Sequence, residues 1–191
     1  PVDALCLQEL KMTDDKFPFE AFQAEGYHAT AFGQKTYNGV AVITREPVAS
    51  VVKNIPGFED EQARILAVTL ETPQGPLRIV NGYFVNGQAP DSDKFIYKLK
   101  WLTALQDWLK LELASHPRLA LLGDFNITAD DRDSYDPEGL RETIHHTTEE
   151  RNLTHTEWDR YGQDHADLSA DLAARCGLPA GIADAIALHH A

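Results

Sequence analysis

The architecture is dictated first by three apolar runs that each stop abruptly at polar residues. Leu119 to Leu122 is a compact apolar stretch that ends at Gly123-Asp124-Phe125-Asn126. Val2 to Gln8 delivers Glu9, and the run Leu77 to Phe84 carries Asn81-Gly82-Tyr83. Runs of this length bounded by turn residues read as strands, and loops at strand ends are where function gathers. A carboxylate at such an end is costly to bury unless it meets a cation or a hydrogen-bond donor. Glu9 and Asp124 are therefore candidate ligands, although either one alone reads more readily as a turn residue or a cap.

The remaining pattern supplies the frame. Val2 to Gln8 is expected to be an interior strand, followed by a short helix over Phe17 to Glu25 that Gly26 closes. Tyr27 to Phe32, Gly39 to Thr44 and Val48 to Ile55 are strand-like and separated by turn signals. Asn38-Gly39 is expected to be a tight turn. Arg64 to Leu70 and Leu77 to Phe84 form a hairpin across the intervening TPQGP. Ser92 to Ser115 is the longest helical pattern, with Trp101, Leu105, Trp108 and Leu109 on one face. Leu119 to Leu122 then reads as a central strand, Asp130 to Asp136 as an acidic solvated loop and Pro137 to Ile144 as a turn of helix. Strands, a long helix and another strand imply a layered α/β (α+β) domain. Near Asn152 the composition changes, and the pattern from there is wholly helical.

Bulk properties narrow the function. The 191 residues suffice for one domain, or for one domain and part of another. No apolar run approaches the ~20 residues of a membrane span, and the first residues lack a signal-peptide pattern. Cys6 and Cys176 are expected to be free buried thiols of a cytoplasmic protein. A net charge of −13 argues against tight non-specific binding to phosphate backbones. It does not exclude a local basic rim beside cation-binding carboxylates.

Taken together, LQELK, YNGVAVITR, NGYFVNG and LLGDFNI, in this order and at these separations, resemble the exonuclease III class of apurinic/apyrimidinic (AP) endonucleases. QKTYNGVA and SYDPEGL…IHHTTEER extend the resemblance, which runs from Pro1 to about Arg151. It implies an incomplete four-layer α/β sandwich of the DNase I-like type within the endonuclease/exonuclease/phosphatase superfamily. It also implies an Mg²⁺-dependent phosphodiesterase of base-excision repair, with Mn²⁺ as a substitute ion, acting on double-stranded DNA at abasic sites or 3′ ends. By the same resemblance Glu9 is the metal-binding glutamate, and Asp124 handles a proton at the attacking water or the leaving oxygen. Asn126 bonds the scissile phosphate or orients its partners, Tyr83 stabilises the developing charge, and Arg64 meets the DNA backbone. Lys11 faces either DNA or solvent.

The pattern also departs from that family. A first strand carrying Trp-Asn-x-Asn is expected before Pro1, and a terminal Ser-Asp-His segment is expected beyond Arg151; neither is found in order. The piece 1–151 is thus expected to be truncated at both ends, with weak or absent activity. The tail 152–191, with His165-Ala-Asp-Leu, Cys176-Gly-Leu-Pro and His189-His190, resembles part of an HDOD domain. Two other functions stay open: another phosphoesterase of the superfamily (a phosphomonoesterase or phospholipid diesterase), and a non-catalytic signalling protein acting through the tail.

Overall fold

The structure is a computed structural model and describes residues 2–152; the HDOD-like tail and Cys176 lie outside the described residues. Among the described residues, seven strands form two sheets. The first contains β1 (Ala4–Gln8), β2 (His28–Phe32) and β3 (Val40–Thr44), in the antiparallel order β1-β3-β2. The second contains β4 (Ser50–Lys53), β5 (Ile65–Leu70), β6 (Leu77–Tyr83) and β7 (Leu119–Asp124), in the order β4-β5-β6-β7. The β5–β6 hairpin pairs antiparallel as its sequence predicts, whereas β7 runs parallel to β6. Helix α1 (Phe19–Ala24) precedes β2, and the long helix α2 (Asp93–Ser115) supplies the crossover that a parallel pair requires.

Strand periodicity of two residues divides each strand between two faces. The inner faces meet in a core of Val40, Val42, Leu66, Val68, Leu70 and Ile79, with Ala4, Cys6 and Tyr83 packed against it. On the outer face of the first sheet, Ala41 and Ile43 pack with Phe17, and Phe22 of α1 closes over them. On the outer face of the second, buried Arg78 of β6 donates from Nε to Glu112 Oε2 of α2 at 2.7 Å. Trp101 of α2 lies 5.1 Å from the Phe84 ring. Helix, sheet, sheet and helix are the four layers expected of this fold class. Trp101, Leu105, Trp108 and Leu109, the predicted apolar face of α2, are all buried.

The described residues divide into two units, and the sandwich is one of them: residues 1–85 with 100–126. The other, comprising residues 86–99 and 127–152 among the described residues, is organised around a fully buried ion pair. Lys98 Nζ donates to Glu150 Oε1 and, at 3.3 Å, to the Asn86 carbonyl. Glu150 Oε2 accepts from both the amide and the hydroxyl of Thr147. Multiple bonds of this kind are what make two buried charges tolerable.

Three expectations need correction. β1 and β7 both lie at sheet edges among the described residues, not in interior or central positions. Leu5, on the outer face of β1, and Leu122, on the inner face of β7 opposite Asn81, are both exposed; an apolar run does not report the number of paired neighbours. Residues 137–144 form successive turns rather than a helix. The acidic loop contains a short 3-10 turn, Asp131–Asp133, capped by Asp130. Among the described residues no helix is long and apolar enough to cross a membrane.

Candidate active site

Glu9 leaves the end of β1 in a left-handed conformation, with φ 53°, and Lys11 repeats it at φ 54°. The turn is held by two backbone bonds, from Leu10 N to the Gly39 carbonyl and from Lys11 N to the Asn38 carbonyl. Asn38 and Gly39 themselves have φ 61° and 88°, the tight turn that their sequence predicts. The carboxylate of Glu9 is thereby turned outward, with its side chain half-exposed.

Tyr83 ends β6 on the facing sheet, and its phenol donates to Glu9 Oε1 at 2.5 Å. Lys11 Nζ sits 3.1 Å from Glu9 Oε2. These two donors, the phenol foremost, hold the Glu9 carboxyl below its ordinary range, so it is anionic at neutral pH. Tyr83 moves the other way. Burial first, and then the bond to Glu9, push the phenol up to about 12. At neutral pH it is therefore a proton-bearing donor.

Arg64 lies against Tyr83, its guanidinium carbon 5.2 Å from the ring centroid. Nη1 donates to the carbonyls of Tyr83 at 3.0 Å and Phe84 at 3.4 Å, while Nε and Nη2 donate to Gln62 Oε1. The residue is only 8% exposed. Its bonds are thus divided between the end of the strand that carries Tyr83 and the neighbouring Gln62.

The parallel register places Asp124 opposite Tyr83. Gly123 makes that approach feasible: its φ is 146°, and a Cβ there would run into the Gly82 carbonyl. Beyond the strand, Asn126 adopts φ 48° and donates from its backbone to Asp124 Oδ1 at 3.3 Å. Its Nδ2 donates to the Phe84 carbonyl at 3.1 Å. Phe84 N in turn donates to the Asp124 carbonyl, and the Phe84 and Phe125 rings meet tilted by 52° with centroids 4.8 Å apart. Glu9, Tyr83, Asp124 and Asn126 are accordingly gathered at one end of the sandwich.

Sequence reasoning noted Gln8 and Asn81 as strand-end polar residues but gave them no role, and it passed over Gln62. Asn81 is fully buried and fully bonded. The available signal was a carboxamide inside the run Ile79 to Phe84, a residue type seldom buried without partners.

Glu9 has the chemistry to hold a hard cation: an anionic oxygen donor at an open position, as suits Mg²⁺, which takes one or two carboxylates and keeps several waters. Among the described residues, no group of three or more His, Cys, Asp or Glu side chains is arranged around a common metal position.

The model of the endonuclease/exonuclease/phosphatase family matches residues 1–175. Exodeoxyribonuclease III of Haemophilus influenzae is 37% identical over 133 residues, covering 69% of this chain and 50% of that protein. The solved structure of the Neisseria 3′ phosphatase NExo bound to product DNA hairpin is similar with a TM-score of 0.79 and 44% identity, covering 83% of this chain and 61% of the other. An AP endonuclease from Archaeoglobus fulgidus is similar with a TM-score of 0.72 and 28% identity, covering 79% and 57%. The chain spans about half the length of the curated relatives that it matches.

Proposed function

Because the chain belongs to the endonuclease/exonuclease/phosphatase family, we propose that its sandwich carries the reaction centre of a DNA-repair phosphodiesterase that uses a divalent cation, Mg²⁺ by the character of its ligand. The observation that carries this reading is the Tyr83–Glu9 bond, which joins an anionic ligand and a proton-bearing phenol from two different sheets. Exonuclease III, 3′-phosphatase and AP-endonuclease relatives support DNA as the substrate, and an abasic site or a 3′ end is the position of attack that this reading expects.

Glu9 would hold the cation, which when bound supplies Lewis-acid stabilisation of charge on a phosphate oxygen. Tyr83, kept protonated, donates a hydrogen bond to the phosphate as negative charge builds on it. Asp124 would handle the proton of the attacking water or of the leaving 3′ oxygen. Asn126, fixed through Phe84 and Asp124, orients that carboxylate and the phosphate. Arg64 serves the same phosphate through Tyr83, by setting the height and tilt of the ring.

The test is to incubate the full chain with an abasic-site duplex, a 3′-phosphorylated duplex and inositol phosphates, each with Mg²⁺ and with chelator. The expected result is slow incision or end-processing of DNA that requires the cation. Hydrolysis of inositol phosphates in preference to DNA would refute the assignment to DNA and move the chain to another branch of the superfamily.

A further inference from the structure

Resting on that reading of the site, we infer that the Asn81–Gln8 carboxamide pair is a positioning device that fixes the distance between Glu9 and Tyr83. Those two residues come from different sheets, and apolar packing between sheets is non-directional. Val40, Val42, Leu66 and Val68 hold the sheets together but do not set how far one slides over the other. A bond as short as 2.5 Å between the sheet ends needs a registering contact nearby.

Asn81 supplies it. The residue is fully buried, on the same face of β6 as Tyr83 and two residues before it. Its Nδ2 donates to the carbonyls of Leu7 in β1 and Ala41 in β3, each at 2.9 Å. Leu7 and Ala41 are register partners, so one amide from the second sheet clamps a single rung of the first. Its Oδ1 accepts from Gln8 Nε2 at 2.7 Å, and Gln8 immediately precedes Glu9. Both donors and the acceptor of Asn81 are engaged, which offsets the cost of burying the amide. An apolar side chain of similar volume would fill the space equally well and would leave the sheets free to slide. The clamp lies two residues before Tyr83 on one strand and two before Glu9 on the other, close enough for any slip to reach the reacting groups undiminished.

The test uses the full chain with Gln8→Met and Asn81→Leu, which retain volume and remove the bonds, beside Val68→Ala as a destabilised core control away from the site. In each background, a double-mutant cycle of Glu9→Ala and Tyr83→Phe on urea unfolding reads the Glu9–Tyr83 coupling without any catalysis. The parent and Val68→Ala are expected to show a coupling of about fivefold in the unfolding constant, and Gln8→Met and Asn81→Leu about onefold. On DNA, Gln8→Met is expected to lower kcat about tenfold with KM within about twofold. Coupling that persists at full size in Gln8→Met, or that is missing in the parent, overturns the inference. A parent that cleaves no DNA while its coupling follows the expected pattern refutes the functional reading and leaves the positioning role standing.

Discussion

Glu9 is balanced by two donors of different kinds, and each gives a distinct prediction. Tyr83→Phe removes the hydroxyl while keeping the ring that packs on the core and on Arg64. Loss of one donor aimed at developing charge costs about 10²-fold in kcat, with little change in KM; steady-state kinetics on a 3′-phosphorylated duplex check it. Lys11 acts in the opposite sense toward the cation, because its ammonium already neutralises Glu9 Oε2. Lys11→Met is expected to tighten Mn²⁺ binding by about two- to fivefold, the range of an exposed ion pair, as read by electron paramagnetic resonance titration. Weaker binding in that variant would show that Lys11 organises the ligand rather than competing for it.

At the scale of elements, the site depends on how closely β6 and β7 run. Gly123 has no substitute there, since a side chain would meet the Gly82 carbonyl and its φ of 146° disfavours any L-residue. Gly123→Ala is expected to destabilise the fold by roughly 2 to 4 kcal/mol and to draw Asp124 away from Tyr83; urea unfolding together with turnover measures both. The strands and α2 were legible in the sequence because their periodicity is set by which face is buried. Their edge positions were not, because Leu5 and Leu122 are as apolar as their buried neighbours yet stay exposed, Leu5 on the outer face beside Ile43 and Leu122 on the inner face opposite Asn81. Glu9, Tyr83, Asp124 and Asn126 were legible as a motif. That Glu9 and Tyr83 share a proton-bearing bond was not, since it depends on two sheets meeting across 74 residues of chain. Arg64 illustrates the same limit: its bonds to the Tyr83 and Phe84 carbonyls exist only once β6 lies alongside.

For the molecule as a whole, the response to pH draws on Cys6 and Tyr83, which hold their protons more tightly in the fold than out of it. Burial raises the Cys6 thiol from 9.0 to about 11, and burial with the Glu9 bond raises Tyr83 from 10.0 to about 12. The folded chain then binds more protons than the unfolded one at alkaline pH, so stability falls as pH rises. Their contribution is complete below pH 9 and is lost progressively up to about 12; the urea midpoint should decline across that window, and Cys6→Ala should remove the earlier part of the decline. The acidic body, with a net charge of −13, gives DNA little general attraction. On the proposed function, recognition would come from the cation and from local donors at the end of the sandwich. The most direct measurement is single-turnover incision of an abasic duplex by the parent, Glu9→Gln and Asp124→Ala chains, with the new DNA ends identified by polymerase extension. Cation-dependent incision that leaves an extendable 3′-hydroxyl and disappears in both variants is predicted. Incision that survives Asp124→Ala or chelation, or that leaves a blocked 3′ end, would contradict a hydrolytic centre built on these residues.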